Sequence, residues 1–198
     1  MKNSIQIKLI VDAEQASKLI DLQKTFALAC DEAAKIVAIS RSWHRVTLHH
    51  LAYRTLREKF PLLGSQMVCN AIHTVSRASK EIFQDPAGKW SPLIKSGNPL
   101  PVLKFAETTP VFFDKHTLTL KKNALSIFTL DGRMKIQVNL SQEIDRLLRT
   151  EKLKELSLTL QKESFYLRFV FSQDSESSLQ IKPSVQVVSE EKQKSFAI

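Results

Sequence analysis

The residue types in this chain most able to do chemistry are its five histidines and two cysteines. His44, His49 and His50 fall close together, but adjacent His49 and His50 project about 100° apart on a helix and cannot share one ion. Nearby arginines also disfavour a cation. Cys30 and Cys69 each sit inside an apolar helical pattern without a second Cys at ligand spacing. That excludes a zinc site or a disulfide framework and marks both as core thiols of a reducing cytosol. Gly64, Gly88, Gly97 and Gly132 are scattered, so there is no glycine-rich phosphate loop, and no G-x-S-x-G, H-E-x-x-H or paired metal-binding carboxylates occur. The expectation is a chain with no catalytic residue, no cofactor and no metal. The competing enzyme reading rests on His44, His49 or His50.

What remains is binding chemistry. The chain has 198 residues, 29 Lys and Arg against 20 Asp and Glu, and a formal net charge of +9. The excess is localised: residues 41–104 carry ten cations against three anions. That concentration points to a polyanion partner rather than to general solubility. Within it, Gln66, Asn70, His73, Arg77 and Lys80 recur at spacings of 4, 3, 4 and 3, which aligns them along one helix face. No Asp or Glu occurs from Lys59 to Lys80. An ordinary solvated helix mixes signs, whereas this strip offers amides for base edges and cations for phosphates. Arg41, Arg45, Arg54 and Arg57 add electrostatic docking, and Trp43, Tyr53 and Trp90 beside cations could stack on bases.

These groups need elements to position them. Ile5 to Val11 begins with strand-like alternation; Asp12 and Gln15 form a capping-box start for a helix whose apolar positions run from Leu19 to Val37. A second helix rests on Leu48, Leu51, Ala52, Thr55 and Leu56 and stops near Phe60 because Pro61 follows. A third starts near Ser65 and buries Val68, Ile72, Val75, Ser79 and Ile82. Residues 85–99 read as a Pro-rich connection. The period then changes from 3.6 to 2, with a hairpin at Asp131-Gly132, a short capped helix from Ser141, and a second hairpin about Lys162-Glu163-Ser164. The lone first strand must pair with these later strands. The expected fold class is therefore α+β: a small antiparallel β-barrel (residues 1–11 and 100–172) interrupted after its first strand by a three-helix insert (residues 12–84), with a flexible tail over 173–198. No segment approaches the roughly 20 apolar residues that span a bilayer, and the N-terminus lacks a signal-peptide core, so a cytoplasmic protein with no membrane partner is expected.

Leu56-Arg57-Glu58-Lys59-Phe60-Pro61, Gly64 to Ile72, Ser126 to Arg133 and Ser164-Phe165-Tyr166-Leu167 occur in an order that resembles the N-terminal half of TnpB-like proteins, transposon-encoded RNA-guided nucleases related to type V CRISPR effectors. The resemblance covers roughly residues 4–172. It implies a wedge-like barrel with a helical recognition insert that together hold a structured guide RNA. It also implies that Ser65, Gln66, Cys69, Asn70 and His73 face double-stranded DNA next to a target. Many relatives carry Gln at the position of Cys69. Relatives continue into a RuvC nuclease and a zinc ribbon; here Asp174 lies in Gln-Asp-Ser-Glu-Ser, and the RuvC acids are lacking. The functional expectation is a nucleic-acid-binding protein that does not cut. The alternative is an inactive or split nuclease remnant that partners a full-length relative or a separate catalytic chain.

Overall fold

The computed structural model describes residues 4–90, 97, 100–114, 116–121, 123–171 and 185–188. In chain order the first elements are β1 (Ser4–Lys8), α1 (Ala13–Ser40), α2 (Arg45–Lys59), α3 (Ser65–Phe83), β2 (Val102–Phe105), β3 (Val111–Phe113) and β4 (Leu118–Lys121). They are followed by β5 (Ala124–Thr129), β6 (Gly132–Gln137), α4 (Gln142–Thr150), β7 (Leu153–Gln161), β8 (Ser164–Phe171) and β9 (Val185–Val188). The architecture is mixed α and β with antiparallel ladders. Among the described residues the ladders give sheets of four, two and three strands, ordered β1-β8-β7-β3, β2-β9 and β4-β5-β6, and no ladder closes them into a barrel.

The chain divides into two compact units, one of residues 1–23 with 110–181, the other of residues 24–109 with 182–198. In the first unit β1 finds its partner in β8, with Ile5 opposite Phe169 and Ile7 opposite Leu167, and Leu9 N donates to Phe165 O at 2.8 Å to extend the ladder. The period-2 pattern sends Ile7, Val111, Phe113, Leu156, Leu158, Phe165, Leu167 and Phe169 to one buried face. The β7–β8 turn places Lys162 and Glu163 at φ +45° and +65°, the left-handed pair that a tight hairpin requires. In the β5–β6 hairpin it is Gly132, at φ +98°, that absorbs the turn, a conformation closed to most side chains. The capping box at the start of α1 forms reciprocally: Gln15 N donates to Asp12 Oδ1 at 2.8 Å and Asp12 N to Gln15 Oε1 at 3.2 Å. Gln15 Nε2 also donates to Lys135 O at 3.1 Å, which ties this end of α1 to β6. Ser141 caps α4 by accepting from Ile144 N at 3.3 Å.

The second unit is built on the rest of α1 with α2, α3, β2 and β9. Phe26, Ala29, Cys30, Ala33, Ala34 and Val37 are buried on α1, and Met67, Val68, Ala71, Ile72, Val75 and Ala78 on α3. The Cys30 thiol of α1 donates to Ala71 O of α3 at 3.8 Å. The helical pattern of α2 is narrower than its sequence implies. Leu48, Ala52 and Leu56 are buried, while Leu51 is 46% exposed and Thr55 lies at the surface. The i, i+4, i+8 stripe alone faces the core. Ile82 of α3 is likewise only half-buried.

Two segments after α3 take places that the expected domain bounds do not give them, although Ser184 to Val188 alternates weakly in the sequence. β2 belongs to the second unit because its edge pairs with β9, Val102 opposite Val188 and Phe105 opposite Val185, and because Asp31 of α1 reaches it. Asp31 is only 6% exposed, accepting from Phe105 N at 2.8 Å and from Lys104 Nζ at 2.6 Å. So part of the expected tail, Val185–Val188, is a strand, while the rest of the tail and most of the Pro-rich connection lie outside the described residues.

The two bonds to Asp31 are unequal. The amide of buried Phe105 depends on the carboxylate, whereas the Lys104 side chain is 52% exposed and solvent-screened. Asp31→Ala is expected to lower unfolding stability by about 2–3 kcal/mol, and Lys104→Ala by less than about 1 kcal/mol, in urea titrations followed by circular dichroism.

Candidate nucleic-acid interface

All ten residues assigned to nucleic-acid binding fall in the second unit, from the end of α1 through α3. Burial of one face of α3 leaves a strip on the other. Along it Ser65, His73 and Lys80 are exposed, and Gln66, Cys69, Asn70 and Arg77 are half-buried. The 4-3-4-3 spacing therefore does align a polar strip, but its accessible width is small. Gln66 and Asn70 are only partly accessible.

Arg77 departs most from the expectation of a phosphate-facing cation: its Nε and Nη2 atoms are buried from solvent. The helix turns this position toward the unit, so the guanidinium is part of the folded body rather than a free charge. Arg54 is exposed, but its Nε donates to Glu58 Oε1 at 3.0 Å one turn on, a solvent-screened pair that offsets part of its charge. Arg57 is half-buried and donates through Nη1 to Leu63 O at 2.6 Å, bracing the turn between α2 and α3. Arg41 ends α1 at φ +56°, a position glycine usually takes, and is half-buried. Arg45, the first residue of α2, is exposed.

The segment charge is further reduced by α1. Lys59 Nζ donates to Glu32 Oε2 at 2.6 Å, and Lys104 to Asp31, so two cations counted toward residues 41–104 are neutralised by acids from outside that stretch. The aromatic candidates are mostly engaged as well. Trp43 lies against Phe83, with ring centroids 5.7 Å apart, and its carbonyl accepts from Ser76 Oγ at 2.7 Å. Tyr53 stacks on His49 at 4.9 Å, and Lys89 Nζ sits 5.0 Å from the Trp90 ring.

One arrangement was missed in the sequence. His49, Tyr53 and Arg57 recur at i, i+4 and i+8 on the half-buried flank of α2, and this flank meets α3: His49 Nε2 lies 3.6 Å from Cys69 Sγ. The i+4 run was visible, but nothing local names its partner 20 residues on. Cys69 is therefore not a buried core thiol; it is half-buried at the edge of the α3 strip, whereas Cys30 is fully buried. His44 is exposed and its side chain caps nothing. Among the described residues no group of three or more His, Cys, Asp or Glu is placed to hold a metal ion, and no helix is long and apolar enough to cross a membrane.

Glu32 is bonded to both Lys35 and Lys59 and is only 20% exposed. Burial, the largest single influence, raises its carboxyl, but the hydrogen bonds and charges of the two lysines together outweigh it and hold the group below its ordinary value of 4.5. Because the folded state binds this proton less readily than the unfolded chain does, the contribution is present above about pH 4.5 and is lost as the pH falls through the lower folded value. Glu32→Gln is expected to be less stable than the parent at pH 7, with the difference shrinking as the pH drops below 4.5, in urea midpoints measured across that range.

No protein-family model matches this chain, and no curated protein matches it.

Proposed function

We propose that this chain binds structured nucleic acid, RNA foremost, through the outward strip of α3 and the start of α2, without cutting it. The observation that carries the reading is the strip itself: from Ser65 to Lys80 amide, imidazole and ammonium groups line one face of a packed helix with no carboxylate among them. Roles divide by accessibility. Arg45 and Lys80 are exposed cations suited to phosphates; His73, with the half-buried amides of Gln66 and Asn70, is nearest any base edge. Arg41, Arg54, Arg57 and Arg77 contribute secondarily, because each is turned inward or bonded within the chain.

The motif order supports a more specific form of the proposal, in which the chain corresponds to the RNA- and target-adjacent DNA-binding half of a TnpB-like protein acting in the cytoplasm. In that form the four- and three-stranded sheets of the first unit are the walls of a wedge-like barrel. α1 to α3 make up the recognition insert.

Filter binding of an RNA hairpin and of a DNA duplex across a salt series tests the reading. Affinity is expected to fall linearly with salt on logarithmic axes. Arg45→Ala and Lys80→Ala should each weaken binding and reduce that slope by about 1, while Arg54→Ala changes it less. Absent or salt-insensitive binding contradicts the proposal.

A further inference from the structure

We propose that Cys69 is a modification site: a thiol paired with His49 across the seam between α2 and α3, which forms a mixed disulfide with low-molecular-weight disulfides. The geometry is that of an activated nucleophile and its base. Cys69 Sγ and His49 Nε2 are 3.6 Å apart, within reach of a sulfur hydrogen bond, and both residues are half-buried rather than sealed.

The surroundings fix the pair in place. Tyr53 lies on the His49 ring at 4.9 Å with an interplanar angle of 24°, and His50 stands edge-on to it at 6.0 Å, so the imidazole is held in place. Along α3 the neighbours are Asn70 and, one turn on, His73; along α2, Arg45 lies one turn before His49. No carboxylate occurs from Lys59 to Lys80 to oppose a thiolate. On α1, which reaches α3 at Ala71, the carboxylate of Asp31 is committed to Phe105 N and Lys104. The chain also contains its own control. Cys30 is fully buried, and burial first, with the Asp31 charge second, pushes its thiol well above the ordinary value.

The step balances without a further reactant. His49 takes the thiol proton; the Cys69 thiolate attacks one sulfur of oxidised glutathione. A bond forms between Cys69 Sγ and that sulfur, the original disulfide bond breaks, and the second glutathione leaves as a thiolate that is protonated from His49 or water. Cys69 is oxidised and one half of the small disulfide is reduced. The adduct places a carboxylate-bearing peptide on the strip between Gln66 and His73, so modification would switch off anion binding there. That consequence rests on the nucleic-acid reading; the reactivity does not.

The test is the rate of glutathione addition to the full chain, read by intact-mass spectrometry at pH 6 and pH 8. An unassisted thiol slows by about two orders of magnitude between those values. Cys69 is expected to slow by less than about tenfold, His49→Gln to restore the steep fall, and Cys69→Ser to take up no adduct. A steep fall in the parent chain, or equal uptake by Cys69→Ser, overturns the assignment, and the parent pH profile does so even if the histidine variant fails to fold. RNA binding measured before modification, after it, and after thiol reduction separates the two claims. Reversible loss supports the switch and unchanged affinity overturns it. If the unmodified chain binds no nucleic acid, the functional reading and the switch fail together, while the pH profile still decides the thiol.

Discussion

A carboxylate with almost no access to water ties β2 to α1 in the second unit. Asp31, on the flank of α1 between the buried Cys30 and Ala33, accepts both the Phe105 amide and the Lys104 ammonium. These bonds fix β2 against the helix after a long excursion of chain, and β9 then adds to the outer edge of β2. The same helix is the surface on which α3 rests, through Cys30 and Ala71. A buried acceptor for a backbone amide cannot be exchanged for a similar apolar group without leaving that amide unsatisfied.

That constraint changes the meaning of the charge distribution. Counted along the chain, residues 41–104 carry ten cations against three anions. In the folded unit Asp31 and Glu32 reach across to Lys104 and Lys59, Arg54 pairs with Glu58, and Arg57 serves the Leu63 carbonyl. The positive field is therefore carried by fewer groups, among them exposed Arg45 at the start of α2 and exposed Lys80 near the end of α3. The position of each cation, more than the number of cations, decides where a polyanion would sit.

Patterns of short range were legible in the sequence. The Asp12 and Gln15 capping box, the hairpins, the Ser141 cap and the buried face of α3 up to Ser79 follow from spacing within a few residues, and these formed. Relations of long range were not. Leu51 and Thr55 fit a helical period yet are exposed, because only the Leu48, Ala52 and Leu56 stripe meets a neighbour. Trp43, beside two arginines, looked like a stacking platform and instead lies against Phe83. Arg77 kept its place in the strip by periodicity while its guanidinium turned inward, since 100° of helix rotation cannot say how far a long side chain bends. The pairing of β2 with β9 and of His49 with Cys69 joins segments whose local composition says nothing about each other. Both depend on which faces the packed helices leave open.

The central claim, that the strip of α3 is where nucleic acid docks, is tested most directly by ultraviolet crosslinking of the full chain to a structured RNA, followed by mass-spectrometric mapping of the attached peptides. The account predicts crosslinks concentrated between Ser65 and Lys80, with flanking attachments near the start of α2. Crosslinks confined to the first unit, or scattered without preference for α3, would contradict it.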